Sequence, residues 1–126
     1  MKEKILFVNS CVRGDNESRT LALAKTALSR LDGDIEEIRL ADANLKPLDA
    51  AGLAKRAESA EKNDFSDPVY DCAKQFAACD TVVIAAPFWD YSFPAFLKIY
   101  IESLCVGGLT FLYGSDGVPI SYCRAK

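Results

Sequence analysis

Residues 81–87 (TVVIAAP) form a nearly unbroken apolar run closed by a proline, and no other segment constrains the fold as much. A run this short and this apolar predicts a strand covered on both faces, the form strands take inside parallel sheets. Parallel neighbours must be joined by crossovers, usually helical, so helices should flank this strand in the sequence.

The rest of the chain fits that demand. Residues 4–9 (KILFVN) predict a first buried strand. Ser18 is a good helix cap, Leu21, Ala24, Leu28 and Leu31 recur at helical spacing, and Gly33 suits a helix stop, so a helix is predicted over 18–31. Residues 35–40 (IEEIRL) predict a second strand whose charges suit a sheet edge. A long connection with Pro47 follows, carrying a surface helix over 50–62. Asp67-Pro68 opens another helix that ends near Asp80, and Pro94 opens a last one over 94–106, stopped by Gly107-Gly108. The tail, 109–126, has no clear pattern. The order β-α-β-α-β-α predicts one α/β domain over residues 1–126, a parallel sheet with helices on both faces.

Composition narrows the function. The 126 residues carry 15 basic and 18 acidic side chains, a net charge of −3, which argues against a nucleic-acid partner. No apolar stretch approaches the ~20 residues of a membrane span, and no signal peptide is evident. The five cysteines form no CxxC pair and read as reduced thiols of a cytoplasmic protein. Histidine is absent, which removes Ser-His-Asp and Cys-His catalysis and most zinc sites. An enzyme with this composition would take its reactive group from a cofactor.

Ligands of open parallel sheets bind beyond the carboxyl ends of the strands, where two loops stand out. The first, Ser10 to Thr20, lacks GxGxxG and GK[ST] but offers Ser10, Ser18 and Thr20 hydroxyls, Arg13 and Arg19, and a helix start. That set suits a phosphate, because first-turn N–H groups and the helix dipole favour an anion. The same residues also serve as plain strand end and helix cap. The second loop, Pro87-Phe88-Trp89-Asp90-Tyr91-Ser92-Phe93, holds four aromatics in six residues. Such rings should pack on something: a planar ligand, the core or another subunit. Asp90 is suited equally to a ligand hydrogen bond and to capping the next helix. Cys72 and Cys79 share a helix face that reads as core, and Cys11 lies in the candidate phosphate loop, within reach of solvent.

The two loops together resemble those of the flavodoxin-like, FMN-dependent NAD(P)H:quinone oxidoreductases and NADH-azoreductases. The resemblance rests on Ser10, on Ser18-Arg19-Thr20, on Ala86-Pro87-Phe88-Trp89-Asp90-Tyr91-Ser92-Phe93-Pro94, and on the runs 96–102 and 108–113. It implies a three-layer αβα fold with strand order 2-1-3 and FMN as cofactor. Ser10, Arg13, Ser18, Arg19 and Thr20 would hold the phosphate, and Pro87, Phe88, Trp89, Asp90 and Tyr91 the ring system. It also implies a homodimer or higher oligomer, NADH or NADPH as co-substrate, and a small-molecule electron acceptor such as a quinone or azo compound, reduced by hydride transfer through the flavin.

Family members continue beyond the segment that matches 119–126, into fourth and fifth strands. Without them, strand 81–87 becomes an apolar edge, to be covered by the tail (118–124), by a partner subunit or by the rest of a longer protein; a partner subunit is the expectation. The alternatives to the enzyme are a shortened flavodoxin-like domain without enzyme activity, acting through self-association or a partner, and a small electron carrier.

Overall fold

The computed structural model describes residues 2–125. At its centre β1 (Glu3–Asn9) pairs in parallel with β2 (Gly33–Arg39) and β3 (Thr81–Ala85), giving the order β2-β1-β3. The register runs from Glu3 opposite Gly33 to Asn9 opposite Arg39, and from Ile5 opposite Thr81 to Asn9 opposite Ala85. Gly33 opens β2 rather than stopping a helix. A Cβ there would meet the Glu3 carbonyl oxygen at 2.5 Å, so only glycine lets the two backbones approach this closely.

Side-chain alternation along β1 divides the core into two layers. Ile5 and Phe7 pack with Leu21, Ala24 and Leu28 of α1 (Arg19–Leu28) on one face. Leu6 and Val8 pack with Cys79 and with Leu97, Tyr100 and Leu104 of α4 (Ala95–Leu104) on the other, beside α3 (Asp71–Ala78). This is the three-layer flavodoxin-like arrangement. Full burial of a leucine such as Leu21 contributes about 1.5–3 kcal/mol, so the α1 stripe is a principal anchor of its layer. The Tyr100 hydroxyl is buried in the second layer with no hydrogen-bond partner among the described residues.

The helix α2 (Ala50–Lys62) has no buried side chain, in keeping with the surface helix expected there. A 3-10 turn, Pro68–Tyr70, precedes α3, with the Asp67 carboxylate accepting from the Val69 N–H at 2.9 Å.

One expectation fails, and one of the three covers considered for the sheet edge is ruled out. The strand 81–87 was expected to be covered on both faces and to run into Pro87. It ends at Ala85, only Ala85 is buried, and Ile84 is 48% exposed. The reason is its place: β3 is an outer strand with no neighbour beyond it among the described residues. The tail does not cover that edge either. It forms a hairpin of β4 (Phe111–Tyr113) and β5 (Pro119–Ser121) that pairs only with itself. Arg124 then ties the tail end to the far end of α3, its N–H donating to the Ala77 carbonyl at 3.1 Å and its guanidinium meeting Asp80 at 2.6 Å. No described helix is long and apolar enough to cross a membrane.

Candidate functional site

Both marked loops leave the same end of the sheet, and one backbone carbonyl joins their roots. The Ala85 oxygen accepts from the Ser10 N–H at 3.0 Å and from Ser10 Oγ at 2.7 Å. Buried Asn9 completes the joint. Its Oδ1 accepts from the Cys11 N–H at 3.0 Å and its Nδ2 donates to Glu37 at 2.9 Å.

Beyond Cys11 the first loop turns at Gly14, whose carbonyl accepts from the Glu17 and Ser18 N–H groups at 3.0 and 3.2 Å. Ser18 then caps α1, its Oγ accepting from the Leu21 N–H at 3.1 Å. The first intrahelical bond runs from Ala22 to the Ser18 carbonyl, so the Arg19 and Thr20 N–H groups precede the ladder and stay open to an external acceptor. The charges sort themselves as well. Asp15 is neutralised by Lys25 at 3.0 Å and Arg39 at 3.8 Å, and its hydrogen bond from Lys25 holds its carboxyl below the ordinary range. Arg13 and Arg19 have no ion-pair partner among the described residues.

The second loop folds as a two-residue hairpin. Trp89 and Ser92 exchange N–H···O bonds of 2.8 Å in both directions, and Asp90 and Tyr91 between them take the left-handed conformation, with φ of 49° and 62°. This is the primed turn that strand twist favours, made here without glycine. The turn throws Phe88 and Tyr91 outward, 76% and 94% exposed, with ring planes crossed at 86°. These rings therefore do not close the core. Asp90 does not cap the next helix, since the cap position is Pro94 and no side chain bonds there.

Between the loops lies a cleft of about 330 Å³. Of the residues singled out by sequence, Arg13, Ser18, Arg19 and Thr20 line it from one side, and Pro87 and Trp89 from the other. Ser10 sits beneath it, buried, its only O–H already given to Ala85. Asp90 lines an adjoining hollow of about 460 Å³ with Phe93 and Phe96, and Trp89 forms the wall between the two spaces. Phe88 and Tyr91 stand outside the cleft.

Sequence reasoning missed Val12 and Glu17, which also line the cleft, and Asn9, which sets the loop's exit. A buried polar residue closing an apolar strand was the available signal for Asn9. Cys11 is a correction. Offered as a thiol that could be accessible, it does line the cleft but is only 3% exposed, its Sγ turned toward the Ala85 carbonyl at 3.9 Å.

The donor set fits a flat phosphorylated ligand. Two unpaired guanidinium groups, two open N–H groups and the Thr20 and Ser18 hydroxyls gather at one end, and an indole and a proline ring at the other. Glu17 offsets one of the two arginines, leaving a net positive pole.

Residues 3–123 match the sequence model of a family described as having a flavodoxin-like fold. The chain belongs to that flavodoxin-like family. Among its relatives, the FMN-dependent NADH:quinone oxidoreductase of Clostridium perfringens (strain ATCC 13124) is 31% identical over 98% of this chain and 64% of that protein. The FMN-dependent NADH:quinone oxidoreductase 2 of Clostridium acetobutylicum is 35% identical over 98% of this chain and 63% of that protein. This flavodoxin-like chain thus spans 64% and 63% of the lengths of these two relatives. Among solved structures, azoreductase from Bacillus anthracis str. Sterne aligns over 94% of this chain and 62% of its own, with a TM-score of 0.71 and 25% identity. The FMN-dependent NADH-azoreductase of Bacillus anthracis str. Ames Ancestor in complex with FMN aligns over 98% and 66%, with a TM-score of 0.75 and 21% identity, a likeness of fold.

Proposed function

We propose that this chain holds FMN in the cleft between its two loops and serves an FMN-dependent NAD(P)H oxidoreductase acting on quinones, azo compounds or similar small acceptors. The observation that carries this reading is the polarity of the cleft, cationic and rich in open N–H donors at one end and walled by Trp89 and Pro87 at the other. The names of the relatives support the same reading.

In this proposal Arg13, Arg19, Thr20, Ser18 and the first-turn amides of α1 bind the phosphate. Trp89 and Pro87 lie along the ring and shield it from water. Ser10 shapes the loop from below. Asp90 accepts a hydrogen bond in the hollow beyond Trp89, and Phe88 and Tyr91, which stand outside the cleft, meet the ligand only at its exposed rim. The flavin, when bound, supplies the redox chemistry that a chain without histidine lacks.

Exposed Ile84 at the sheet edge and exposed Phe88, Tyr91 and Phe93 at the loop support a homodimer or higher oligomer. The five free thiols fit a cytoplasmic setting.

The test is a flavin titration. Trp89 is the only tryptophan, so its emission should quench as FMN enters. Arg19→Ala should weaken binding about tenfold or more, the effect of losing one charge-assisted hydrogen bond of about 1.5–3 kcal/mol. NADH should then bleach the bound flavin. Unquenched emission and no retained flavin would sink the proposal for this chain.

A further inference from the structure

The largest cavity among those described is not the cleft. It has a volume of about 690 Å³ and lies between the loop 43–49, α2, the 3-10 turn with the start of α3, and α4. Its walls are apolar: Ile38, Leu45, Pro47, Val69, Cys72 and Ile99. Val69 and Leu48 stand exposed at its margin. That size and lining are those of a small-molecule site, where an apolar body is gripped and a few polar groups fix orientation.

The cavity exists because of what α2 is made of. Its sequence, AAGLAKRAESAEK, puts alanine and glycine where a packed helix would carry large side chains, and none of its residues is buried. Polar contacts hold it to the body instead. Arg56 donates to the Glu102 carbonyl at 2.9 Å and the Cys105 carbonyl at 3.1 Å, at the carboxyl end of α4. The Tyr70 hydroxyl meets Ser59 at 2.8 Å, and Lys55 pairs with Asp67. The helix is braced across a gap rather than packed into it.

The charges lining the gap point to an anion. Lys55 is paired with Asp67, and Arg56 is committed to the two carbonyls. Asp49 caps α2 by accepting from the Gly52 N–H at 2.8 Å, and Asp71 is paired with Lys74 at 3.0 Å. Among the described residues this leaves two lining cations with no ion partner, Lys46 at the margin and Arg56 on its carbonyls, against one such carboxylate, Asp49, a net positive charge of which Lys46 is the part still free to turn to a ligand. An apolar body inside and one negative group at the margin would satisfy both the walls and Lys46.

We propose that this cavity is a second ligand site, separate from the cleft, for a small apolar carboxylate: ring or hydrocarbon against Leu45, Val69 and Ile99, carboxylate toward Lys46. The site does not depend on flavin binding, since no residue lines both spaces.

The probe is 1-naphthoate, followed by amide shifts in the isotope-labelled chain. Saturable shifts are expected over residues 45–56, 69–72 and 99–103, with the amides of 13–20 unmoved. Lys46→Glu should weaken naphthoate about fivefold and leave its uncharged analogue, 1-naphthalenemethanol, unchanged. Leu45→Trp, which fills the space, should abolish both. If that variant fails to melt cooperatively, the Lys46→Glu comparison carries the test alone. Three results would overturn the proposal: no shifts at millimolar naphthoate, equal binding of acid and alcohol, or shifts of these amides with protein concentration that naphthoate does not alter. The last would show the face covered by a second copy.

Discussion

Ser10 Oγ donates to the Ala85 carbonyl across 2.7 Å, joining the end of β1 to the end of β3 beneath the cleft. The bond is buried, so its removal leaves the carbonyl with the Ser10 N–H and the weak Cys11 thiol contact at 3.9 Å. Ser10→Ala should lower stability by about 1 kcal/mol in urea unfolding, with the slope unchanged. FMN affinity should fall as well, because both walls of the cleft hang from this joint. Affinity falling in Arg19→Ala but not in Ser10→Ala would show that the joint is not what spaces the walls.

Tyr91 carries a φ of 62° and is almost wholly exposed, so it accepts left-handed strain without gaining burial. A side chain in this conformation costs about 1–2 kcal/mol, and glycine avoids that while adding freedom to the unfolded chain. Tyr91→Gly should therefore raise the thermal midpoint slightly. If the ring serves flavin or subunit contacts, those should weaken in the same variant. A strained residue whose removal costs neither stability nor binding would have no function at this site.

Burial pushes the Tyr100 phenol well up, and its hydroxyl has no partner among the described residues. The charged form is thus never used, and the neutral form loses a hydrogen bond it had in water. Tyr100→Phe keeps the ring and removes the orphan. It should stabilise the fold by about 1 kcal/mol in denaturant titration, against the usual sign for a core substitution.

Asp80 accepts from the Lys4 N–H at 2.9 Å and meets Arg124 at 2.6 Å, and these contacts hold its carboxyl below its ordinary value of 3.8. A depressed carboxylate contributes fully above its unfolded value and loses that contribution as pH falls through the folded one. Docking of the tail should be constant from neutrality down to about pH 4 and fail below it. Asp80→Asn should mimic the acid form at neutral pH, speeding chymotrypsin cleavage after Tyr122.

The charged outer strand β2 and the surface helix α2 were legible because each is written in local periodicity or composition, whereas the sheet order came only through the resemblance of the two loops to a known family. Three features were not legible. The exposure of Ile84 depends on what lies beyond β3, which no pattern within 81–87 can encode, and the edge position of that strand was readable only through the family resemblance. The turn at Asp90-Tyr91 lacks the Asn-Gly or Asp-Gly signal of its type, so its loop read as irregular. The β4–β5 hairpin has strands of three residues each, too short for alternation to show. At the site, the arginines and the cap of α1 were readable from residue type. The inward fold of Cys11 was not, since it follows from an Asn9 side chain bonding two residues ahead.

The two rims of the sheet are unequal, and that sets how far an assembly could extend. Along β2 the chain presents Asp34, Glu36, Glu37 and Arg39, while along β3 it presents Val82, Val83 and Ile84. Two copies meeting along β3 in a two-fold arrangement would turn outward the β2 rims, where charged residues outnumber Ile35 and Ile38, and charged rims resist further strand addition. The same asymmetry that leaves one side open would therefore stop growth at a closed pair, short of a fibre.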